Sequence, residues 1–312
     1  MTKHRIVVNP ISGRGTGERS IPLIEKLLGE HGLDFDLVQT ERPWHAAELA
    51  REAVEDGCHC VVAAGGDGTA NEVLNGLMQA RTAGAGSATM GVICVGRGND
   101  FAYSMGIPTE VAAGCQSVAQ GRKRTIDVGH VTGGLYPQGR YFGNGVGIGF
   151  DAVVGFEALK LKRLHGFASY LVAALKTITL FPLGPVVNIE YDGESVAQRS
   201  LMVSIMNGTR LGGGFMMAPG GRSDDGLFDL CIAGQVSRLR ILALIPRFMA
   251  GTQATHPAIA TAQARKVRVT SLEGPLPAHA DGETLCTEGQ QLEIALLPGQ
   301  IDLISELPGK AG

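Results

Sequence analysis

A run of glycines around one carboxylate is the stretch of this chain best suited to chemistry. It reads Gly65-Gly66-Asp67-Gly68-Thr69 and follows Val61 to Ala64, four small apolar residues typical of a buried strand. Glycine allows positive φ and lets a backbone approach a bulky anion closely. Periodic apolar residues predict a helix from Thr69 to Ala80, and the free N–H groups of its first turn would favour a phosphate at the same place.

Asp67 carries negative charge where the charge of a phosphate should gather. A carboxylate there is useful if it acts through Mg²⁺ or orients a hydroxyl, and of little use as a direct phosphate contact. The turn has neither the Gly-Lys-Ser/Thr of a Walker A loop nor a Gly-x-Gly-x-x-Gly fingerprint. An Asp that only caps a helix is the alternative. Phosphate binding is the favoured interpretation.

Two further glycine turns occupy the same kind of position. Asn9-Pro10-Ile11-Ser12-Gly13-Arg14-Gly15-Thr16-Gly17 follows the predicted strand Arg5 to Val8, and Gly96-Arg97-Gly98-Asn99-Asp100-Phe101-Ala102 follows Met90 to Val95. Alternating strands and helices predict a parallel sheet, whose ligands gather at the carboxyl ends of its strands. Three such turns together indicate a nucleotide phosphate site more strongly than any one alone.

The elements that position these turns belong to an α/β N-terminal domain. Its other predicted elements are helices Ile21 to His31, Trp44 to Asp56 and Val111 to Gly121, and a strand Phe35 to Thr40. From about Asp127 the pattern changes to alternating segments, which predict a C-terminal antiparallel β-sandwich domain. These segments are Arg140 to Gly147, Val186 to Tyr191, Leu201 to Met206, Leu227 to Ile232, Lys266 to Thr270 and Gln291 to Ile294. We therefore expect domains at 1–126 and 127–295, and a segment 296–312 that returns to the first domain.

Composition bounds the class of protein. A chain of 312 residues with 44% apolar and 18% charged residues is typical of a packed protein of two domains. Lys plus Arg is 27 against 30 for Asp plus Glu, so no overall basic field points to nucleic acid. The short apolar run near the N-terminus is a strand rather than a signal peptide, and six scattered cysteines without a Cys-x-x-Cys pair indicate reduced thiols. A cytoplasmic protein is expected.

Two predicted helices in the second domain mix basic and apolar residues. They span Gly155 to Thr179 and Arg238 to Met249. Such helices can rest on an anionic membrane surface, at the inner face of the membrane for a cytoplasmic protein. Helices packed on the sheet with ordinary solvated lysines are the slightly favoured alternative. Both interpretations stay open at the level of sequence.

The glycine turns are part of a longer series of motifs. Besides Gly65 to Thr69 it comprises Asn9-Pro10-Ile11-Ser12-Gly13, Gly98-Asn99-Asp100-Phe101-Ala102, Gly147-Ile148-Gly149-Phe150-Asp151-Ala152, Asp224-Asp225-Gly226 and Asp281-Gly282-Glu283. In this order the series resembles the soluble bacterial diacylglycerol kinase-like lipid kinases, which belong with sphingosine and ceramide kinases to the diacylglycerol kinase catalytic family. The block Gly65 to Thr69 is less specific by itself, because NAD kinases and phosphofructokinases share it. The whole series spans nearly the full chain.

The resemblance implies an activity and a set of site residues. The γ-phosphoryl group of ATP would pass to a lipid hydroxyl in a cleft between the two domains, with Mg²⁺ at the phosphates near Asp67. Glu283 would accept the hydroxyl proton, supported by Asp281. The nucleotide site would be lined by Asn9, Thr40, Gly65, Gly66, Asp67, Gly68, Thr69, Asn71 and Arg97. A second, structural Mg²⁺ is expected at the carbonyls of Arg222 and Leu227 and the carboxylate of Asp225.

Arg97 departs from the family pattern, and two alternative functions remain open. Arg97 stands where relatives often have Thr or Ser, so a hydroxyl contact to nucleotide is lost, although Arg can bind a phosphate in bidentate fashion. An NAD kinase-like enzyme and a non-catalytic nucleotide- or lipid-binding regulator are the alternatives. Expected partners are ATP, a lipid alcohol, a peripheral membrane surface and a second copy of the chain in a homodimer. Diacylglycerol is the leading substrate, and the sequence does not distinguish it from other lipid alcohols.

Overall fold

The computed structural model describes residues 3–161, 167–181 and 183–307. The chain divides into two compact units. Unit 1 contains the residues up to Val128 and those from Pro298 onward, and unit 2 contains Gly129 to Leu297. Within the described ranges, no helix is both long and apolar enough to cross a membrane.

Unit 1 alternates strands and helices along the chain. Its elements are β1 (His4–Val8), α1 (Ser12–Glu30), β2 (Phe35–Gln39), α2 (His45–Glu55), β3 (Cys60–Gly65), α3 (Asp67–Thr82), β4 (Thr89–Cys94), α4 (Asp100–Met105) and α5 (Val111–Gln120). The first residues of α1 are not regular helix, because Gly13, Arg14 and Gly15 have positive φ. Fully buried Ile6, Val62 and Ile93 on three neighbouring strands pack against α1 and α5 in one core.

The sheet of unit 1 is parallel, with the order β2-β1-β3-β4. The chain moves from β1 to β2 on one side and then crosses to β3 on the other, so the order reverses between β1 and β3. In open α/β sheets a ligand crevice lies outside the carboxyl ends of the strands at such a reversal. Asn9 follows β1 and Gly66 follows β3, so two of the predicted turns lie at this place.

Unit 2 is built mainly from antiparallel strands. Its elements are β5 (Lys123–Gly133, which begins in unit 1), β6 (Tyr136–Phe142), β7 (Gly145–Gly149), α6 (Phe150–Lys160), α7 (Phe167–Leu180), β8 (Val186–Tyr191), β9 (Glu194–Met206), β10 (Phe228–Gly234), α8 (Arg238–Ala250), a 3₁₀ turn (Gln253–Thr255), β11 (Ile259–Ala264), β12 (Lys266–Glu273), β13 (Leu276–Ala280), β14 (Glu283–Gly289) and β15 (Gln291–Ile304). The end of β15 returns to unit 1, where Leu303 pairs in parallel with Met90 of β4.

Strand β9 joins the two layers of the sandwich. Its first half pairs with β8 and its second half with β7 and β10. In the second half, Val203 and Ile205 face the core between the layers, whereas Met202 and Met206 face a second core under helices α6, α7 and α8. This alternation is the strand period of two. The predicted fold class, a parallel α/β domain followed by an antiparallel sandwich, is confirmed.

Several predicted boundaries were wrong. Helix α3 begins at Asp67 rather than Thr69, so the carboxylate lies in the first helical turn. The segment Arg140 to Gly147 belongs to two strands, β6 and β7, because Gly143-Asn144 separates them. The predicted helix Gly155 to Thr179 is replaced by α6, which starts earlier, and α7, while residues 162–166 lie outside the described residues. Residues 308–312 of the predicted returning segment also lie outside them.

Candidate functional site

The glycine turns of unit 1 are in direct contact with one another. A Cβ on Gly96 would lie 2.4 Å from the Cα of Gly66, and a Cβ on Gly13 would lie 2.2 Å from the carbonyl oxygen of Val95. The turns after β1, β3 and β4 therefore pack backbone against backbone, which only glycine permits at these positions. The predicted convergence of the three turns is what the structure has.

Asp67 connects two of these turns. Its Oδ1 accepts the backbone N–H of Phe101, in the first turn of α4, at 2.9 Å. A Cβ on Gly98 would lie 2.8 Å from its Oδ2, so Gly98 makes room for the carboxylate. Burial first and the Asp67 charge second raise the pKa of the neighbouring Cys94 thiol to about 12. Asp67 thus has a structural contact to α4. Its half-buried carboxylate lies beside the closely packed backbone at Gly66 and Gly96, which we call the glycine cradle.

Two asparagine oxygens at the turns lack hydrogen-bond donors. Asn9 donates from Nδ2 to Thr69 Oγ1 at 3.1 Å, but its Oδ1 is buried with no hydrogen-bond partner among the described residues. The same holds for Asn99 Oδ1, and Asn99 has a φ of 52°. Buried acceptors without donors are uncommon and are often satisfied by a ligand or water. Ribose hydroxyls, an adenine amino group or the waters of a hydrated cation would supply such donors.

The remaining nucleotide-site candidates differ in their surroundings. Arg97 is exposed and donates from Nη2 to the carbonyl of Gly13 at 3.2 Å, so its guanidinium spans the turns after β4 and β1. Thr40 directly follows β2, and its amide donates to the carbonyl of Val8 at 2.9 Å. Asn71 is only 3% exposed and accepts hydrogen bonds from the Asn75 amide group. Its contacts are those of an interior residue of α3.

Asp281 in unit 2 holds a turn in place. Its carboxylate accepts the backbone N–H groups of Gly143 at 2.8 Å, Asn144 at 3.0 Å and Gly145 at 2.9 Å. Its own amide donates to the carbonyl of Gly145 at 3.0 Å, and its φ of 48° makes the sharp turn into Gly282. The residue is 8% exposed. Its carboxylate thus holds the 143–145 turn through three backbone amides.

Glu283 follows at once and is the first residue of β14. Its side chain is exposed, and the register pairs it with Ala280 of β13. The turn that carries it is fixed by Asp281 on one side and by the Gly282 N–H, which donates to His279 Nδ1 at 3.2 Å, on the other. An exposed carboxylate on a rigid turn is suited to meet a substrate hydroxyl.

His279 is a residue to which sequence reasoning assigned no role. It is 6% exposed, and its Nε2 lies 3.5 Å from Oδ2 of Asp151, in the first turn of α6. Because Nδ1 accepts the Gly282 amide, the neutral ring carries its proton on Nε2, facing Asp151. Gly147 makes the approach possible, since a Cβ there would lie 2.1 Å from Asp151 Oδ2 and 2.5 Å from His279 Nε2. Histidine close to an acidic turn was the only signal in the sequence.

Asp151 of this pair also lines a small apolar cavity. Asp151 is a polar lining residue in a cavity of about 50 Å³ that is otherwise formed by apolar side chains, among them Phe150, Met202, Phe215, Leu244 and Phe248. Asp151 Oδ2 is buried and accepts no hydrogen bond in the described part of the chain, and its nearest donor is the His279 Nε2 at 3.5 Å. Burial first and the Asp151 charge second raise the pKa of the Cys231 thiol to about 12. An apolar cavity with one unsatisfied carboxylate oxygen suits an amphiphile that carries a hydroxyl.

Two asparagines of unit 2 were also missed. Asn144 donates from Nδ2 to the carbonyl of Arg210 at 2.8 Å, and Asn207 donates to the carbonyl of Gly143 at 2.8 Å. The Asn144 Oδ1 is buried without a partner among the described residues. The Gly143-Asn144-Gly145 sequence is a turn signal that could have located the break between β6 and β7. The partners of that turn come from distant parts of the chain and leave no such signal.

The expected metal ligands lie in a single loop before β10. Asp225 Oδ1 accepts the Leu227 amide at 3.0 Å, and Arg222 Nε contacts Asp224 Oδ1 at 3.1 Å. Burial, more than any neighbour, raises the pKa of Asp229, whose carboxylate also accepts the Gln263 amide group at 3.0 Å. The described residues contain no cluster of three or more His, Cys, Asp or Glu side chains that could hold a metal. A cation in this loop would depend on carbonyl oxygens and few carboxylates, as hard cations allow.

Comparison with known proteins places the chain in a family. Residues 3–131 match the diacylglycerol kinase catalytic domain family, and residues 144–305 match the YegS C-terminal NAD kinase beta sandwich-like domain family. The diacylglycerol kinase of Bacillus subtilis is 32% identical over 288 residues, covering 91% of this chain and 90% of the relative. That of Mycobacterium tuberculosis is 29% identical over 303 residues, covering 96% and 93%.

Solved structures share the fold. A diacylglycerol kinase from Bacillus anthracis has a TM-score of 0.73 at 22% identity, covering 98% of this chain and 97% of the other. An NAD kinase from Archaeoglobus fulgidus in complex with ATP has a TM-score of 0.52 at 14% identity, covering 97% and 93%. At these identities the likeness concerns the fold alone. Through its sequence relatives, the chain belongs to the diacylglycerol kinase family, whose members are kinases with an alcohol acceptor.

Proposed function

We propose that this protein is an ATP-dependent lipid kinase that phosphorylates a lipid hydroxyl, with diacylglycerol as the leading substrate and phosphatidic acid as the product. The observation that carries this proposal is the apolar cavity of unit 2. Asp151 is the polar residue of its lining, and Asp151 Oδ2 lies 3.5 Å from Nε2 of His279, which is on the same β13–β14 hairpin as Glu283. A pocket for an apolar chain therefore carries one carboxylate that contacts the hairpin on which the candidate proton acceptor lies.

The turns of unit 1 are proposed as the ATP site. The cradle at Gly66 and Gly96 has no room for side chains, and Asn9 and Asn99 present acceptor oxygens without donors. These features fit a triphosphate with its ribose and base. Residues Asp67 and Asn99 would hold Mg²⁺ through oxygen atoms, and the ion would neutralise phosphate charge when bound. The loop with Arg222, Asp225 and Leu227 is proposed for a second, structural Mg²⁺.

The proposed chemistry is a direct transfer. The lipid hydroxyl oxygen forms a bond to the γ-phosphorus while the bond from that phosphorus to the ADP oxygen breaks. The hydroxyl proton passes to the carboxylate of Glu283, and ADP leaves as the anion. A carboxylate suffices as acceptor, because phosphoryl transfer has a loose transition state in which the proton leaves late. Asp281 contributes by fixing the turn, and Arg97 by its charge beside the Gly13 turn.

The size of the cavity indicates that the lipid does not enter a preformed pocket. A volume of about 50 Å³ holds only a few water-sized groups. An acyl chain can occupy this place only if the helices over the sheet move apart. We propose that this happens at a membrane surface, which makes the enzyme a cytoplasmic protein in peripheral contact with the inner face of the membrane.

The acceptor can be identified directly. The purified protein would be incubated with γ-labelled ATP, Mg²⁺ and a panel of acceptors: diacylglycerol, monoacylglycerol, phosphatidylglycerol, a sphingoid base, an isoprenoid alcohol and NAD. We expect label in a lipid product, and most of it in phosphatidic acid. Label in NAD would favour the NAD kinase-like alternative. Binding of ATP and lipid without transfer to any acceptor would favour a regulator.

A further inference from the structure

In the described ranges, Trp44 is the only aromatic residue with a left-handed backbone conformation. Its φ is 66° and its ψ is 0°. Glycine adopts such values freely and Asn or Asp tolerates them, but a bulky residue adopts them rarely. Trp44 is half-buried and is the single tryptophan of the chain. A rare backbone conformation at a large side chain is a reason to ask what that side chain does.

The contacts around Trp44 fix its backbone from both sides. The Arg42 guanidinium donates to the Glu48 carboxylate at 2.7 Å. The Glu41 N–H donates to His45 Nδ1 at 3.0 Å. A strained conformation persists only where the surrounding structure holds it in this way. The loop between β2 and α2 therefore keeps the tryptophan in one defined place.

That place is at the edge of the sheet that carries the glycine turns. Thr40 directly follows β2, and its N–H donates to the carbonyl of Val8, the last residue of β1. At the start of α2, the Ala46 N–H donates to Glu72 Oε2 of α3 at 3.1 Å. The loop that carries Trp44 is thus tied to the end of β1 and to the helix that follows β3.

The strand order relates this loop to the glycine cradle. β2 and β3 flank β1, and neighbouring strands lie about 4.8 Å apart, so the ends of β2 and β3 are about 10 Å apart. An extended nucleotide with its phosphates at the cradle spans a comparable distance to its base. Between the two ends, the buried Oδ1 of Asn9 is an acceptor suited to a ribose hydroxyl or a base amino group. The base would then lie at the β2 end, where Trp44 supplies an aromatic ring.

We propose that Trp44 stacks on the base of the bound nucleotide and gives the enzyme a preference for purine over pyrimidine nucleoside triphosphates. The proposal rests on the proposed ATP site for the position of the phosphates. Bases stack on aromatic side chains through their π faces, and a purine offers the larger face to an indole. A role in packing alone explains the conformation less well, because glycine would make the same turn without strain.

Two ligands that share a phosphate chain and differ in the base test the stacking. Calorimetry in the presence of Mg²⁺ would give the Kd for ATP and for inorganic tripolyphosphate. Trp44→Ala should weaken ATP binding by about tenfold, as loss of one stacked base does, and should leave tripolyphosphate binding unchanged. Trp44→Phe keeps a ring and should bind ATP within about threefold of the wild type. Equal losses for both ligands in Trp44→Ala would show a disturbed cradle and overturn the proposal.

Thermal melts separate stacking from packing. Trp44→Gly removes the ring and also relieves the left-handed backbone, so the melting temperature should not fall although the Kd for ATP rises. Phe35→Ala is the matched control, because Phe35 is a half-buried aromatic residue at the opposite end of β2 that packs on the core of unit 1. This control should melt at a lower temperature and keep the wild-type Kd for ATP. A lower melting temperature of Trp44→Gly with an unchanged Kd would assign Trp44 to packing and overturn the proposal.

The fluorescence of the single tryptophan reports the contact directly. At saturation, ATP and GTP should quench the emission of the wild type more than CTP and UTP do, and tripolyphosphate should not quench it, because only a base stacks on the indole. Equal quenching by all five ligands, or none by bound ATP, would overturn the proposal. If the wild type binds neither ATP nor tripolyphosphate, the proposed ATP site fails together with this inference. If the wild type transfers phosphate to lipid and Trp44→Ala keeps its Kd for ATP, this inference fails alone.

Discussion

The glycine turns of unit 1 and the β13–β14 hairpin of unit 2, which carries Asp281 and Glu283, are built in opposite ways. Each turn of unit 1 is one continuous stretch after a parallel strand, and the three meet because the carboxyl ends of such strands share an edge. The hairpin of unit 2 works through residues far apart in the chain: Asp281 holds the amides of 143–145, and His279 faces Asp151. Local chemistry in unit 1 can therefore be changed one turn at a time, whereas a change in unit 2 alters several segments together.

The two regions also differ in what they leave unsatisfied. At the glycine turns of unit 1, the amide oxygens of Asn9 and Asn99 are buried acceptors without a donor among the described residues. In unit 2 the buried carboxylate oxygen of Asp151 lies at the wall of an apolar cavity. The first combination suits a polar, phosphate-bearing ligand and the second an amphiphile. The comparison predicts that substitutions in unit 1 change the response to ATP and that substitutions in unit 2 change the response to lipid.

Asp67→Asn should have the largest effect in unit 1. The amide keeps an oxygen for the Phe101 N–H, so the turn should fold, but the negative charge is lost. We expect turnover with saturating ATP and lipid to fall by about 100-fold or more, while the melting temperature changes little. Asp34→Asn, at an exposed loop position of the same unit, is the control. A near-normal rate in Asp67→Asn would count against a role for its charge.

Gly96→Ala should weaken ATP binding. The added Cβ would lie 2.4 Å from the backbone of Gly66, so the turns after β3 and β4 must move apart. Because overpacking costs about 1–3 kcal/mol, we expect a lower melting temperature and about a tenfold increase in the Kd for ATP measured by calorimetry. Gly29→Ala in α1 is the control, since nothing lies within 4 Å of its Cβ. An unchanged Kd in a destabilised Gly96→Ala protein would show that the glycine cradle does not contribute to ATP binding.

Gly147→Ala should act on the lipid side alone. Its Cβ would lie 2.1 Å from Asp151 Oδ2 and 2.5 Å from His279 Nε2, so the ends of these two side chains must shift. We expect the KM for lipid to rise several-fold, which corresponds to a loss of roughly 1 kcal/mol in binding free energy. The KM for ATP should be unchanged. Gly155→Ala in α6, where the Cβ meets nothing within 4 Å, is the matched control. A change in the KM for ATP, or none in that for lipid, would contradict the assignment of the cavity.

The smallest effect concerns the stability of the helices over the cavity. Hydrogen bonds from Lys160, and then from Lys176, lower the pKa of Glu157, which joins α6 to α7. The ion pairs of Glu157 stabilise the fold fully at pH values above 4.5, the pKa of the carboxyl in the unfolded state. Their contribution is lost as the pH falls through the lower pKa of the folded state. Since both lysine side chains are exposed to solvent, this contribution should be no more than about 1 kcal/mol.

Thermal melts at pH 7 and pH 4 would measure this contribution. The difference between the wild type and Glu157→Gln should shrink at the lower pH, where the carboxylate begins to protonate. Glu194→Gln, at an exposed position of β9, should follow the wild type at both pH values. A constant difference between the wild type and Glu157→Gln would show that the ion pair does not contribute.

The sequence predicted unit 1 better than unit 2 for a physical reason. Strand, glycine turn and helix follow each other within about ten residues, so the turn at Gly65 to Thr69 could be recognised and placed at the edge of a parallel sheet. The start of α3 was wrong by two residues, because Asp67 is tolerated in a first helical turn. In unit 2 the strands were recognised by their alternation, but β11, β13 and β14 were not delimited.

Contacts across the sandwich could not be predicted from spacing. His279 and Asp151 are brought together by the pairing of β13 with β7, and no local pattern encodes that register. Asn144 and Asn207 likewise meet through the ends of β7 and β9. The exposed side of α8 was visible only as a mixture of arginine and leucine.

The most direct test of the division between the two units is to measure ATP binding and lipid phosphorylation on one preparation of Glu283→Gln, beside the control Glu288→Gln on the same strand. The account predicts that Glu283→Gln keeps the wild-type Kd for ATP and loses phosphate transfer to diacylglycerol by about 100-fold or more, while Glu288→Gln keeps both. Normal transfer by Glu283→Gln, or a loss of ATP binding in that variant, would contradict it.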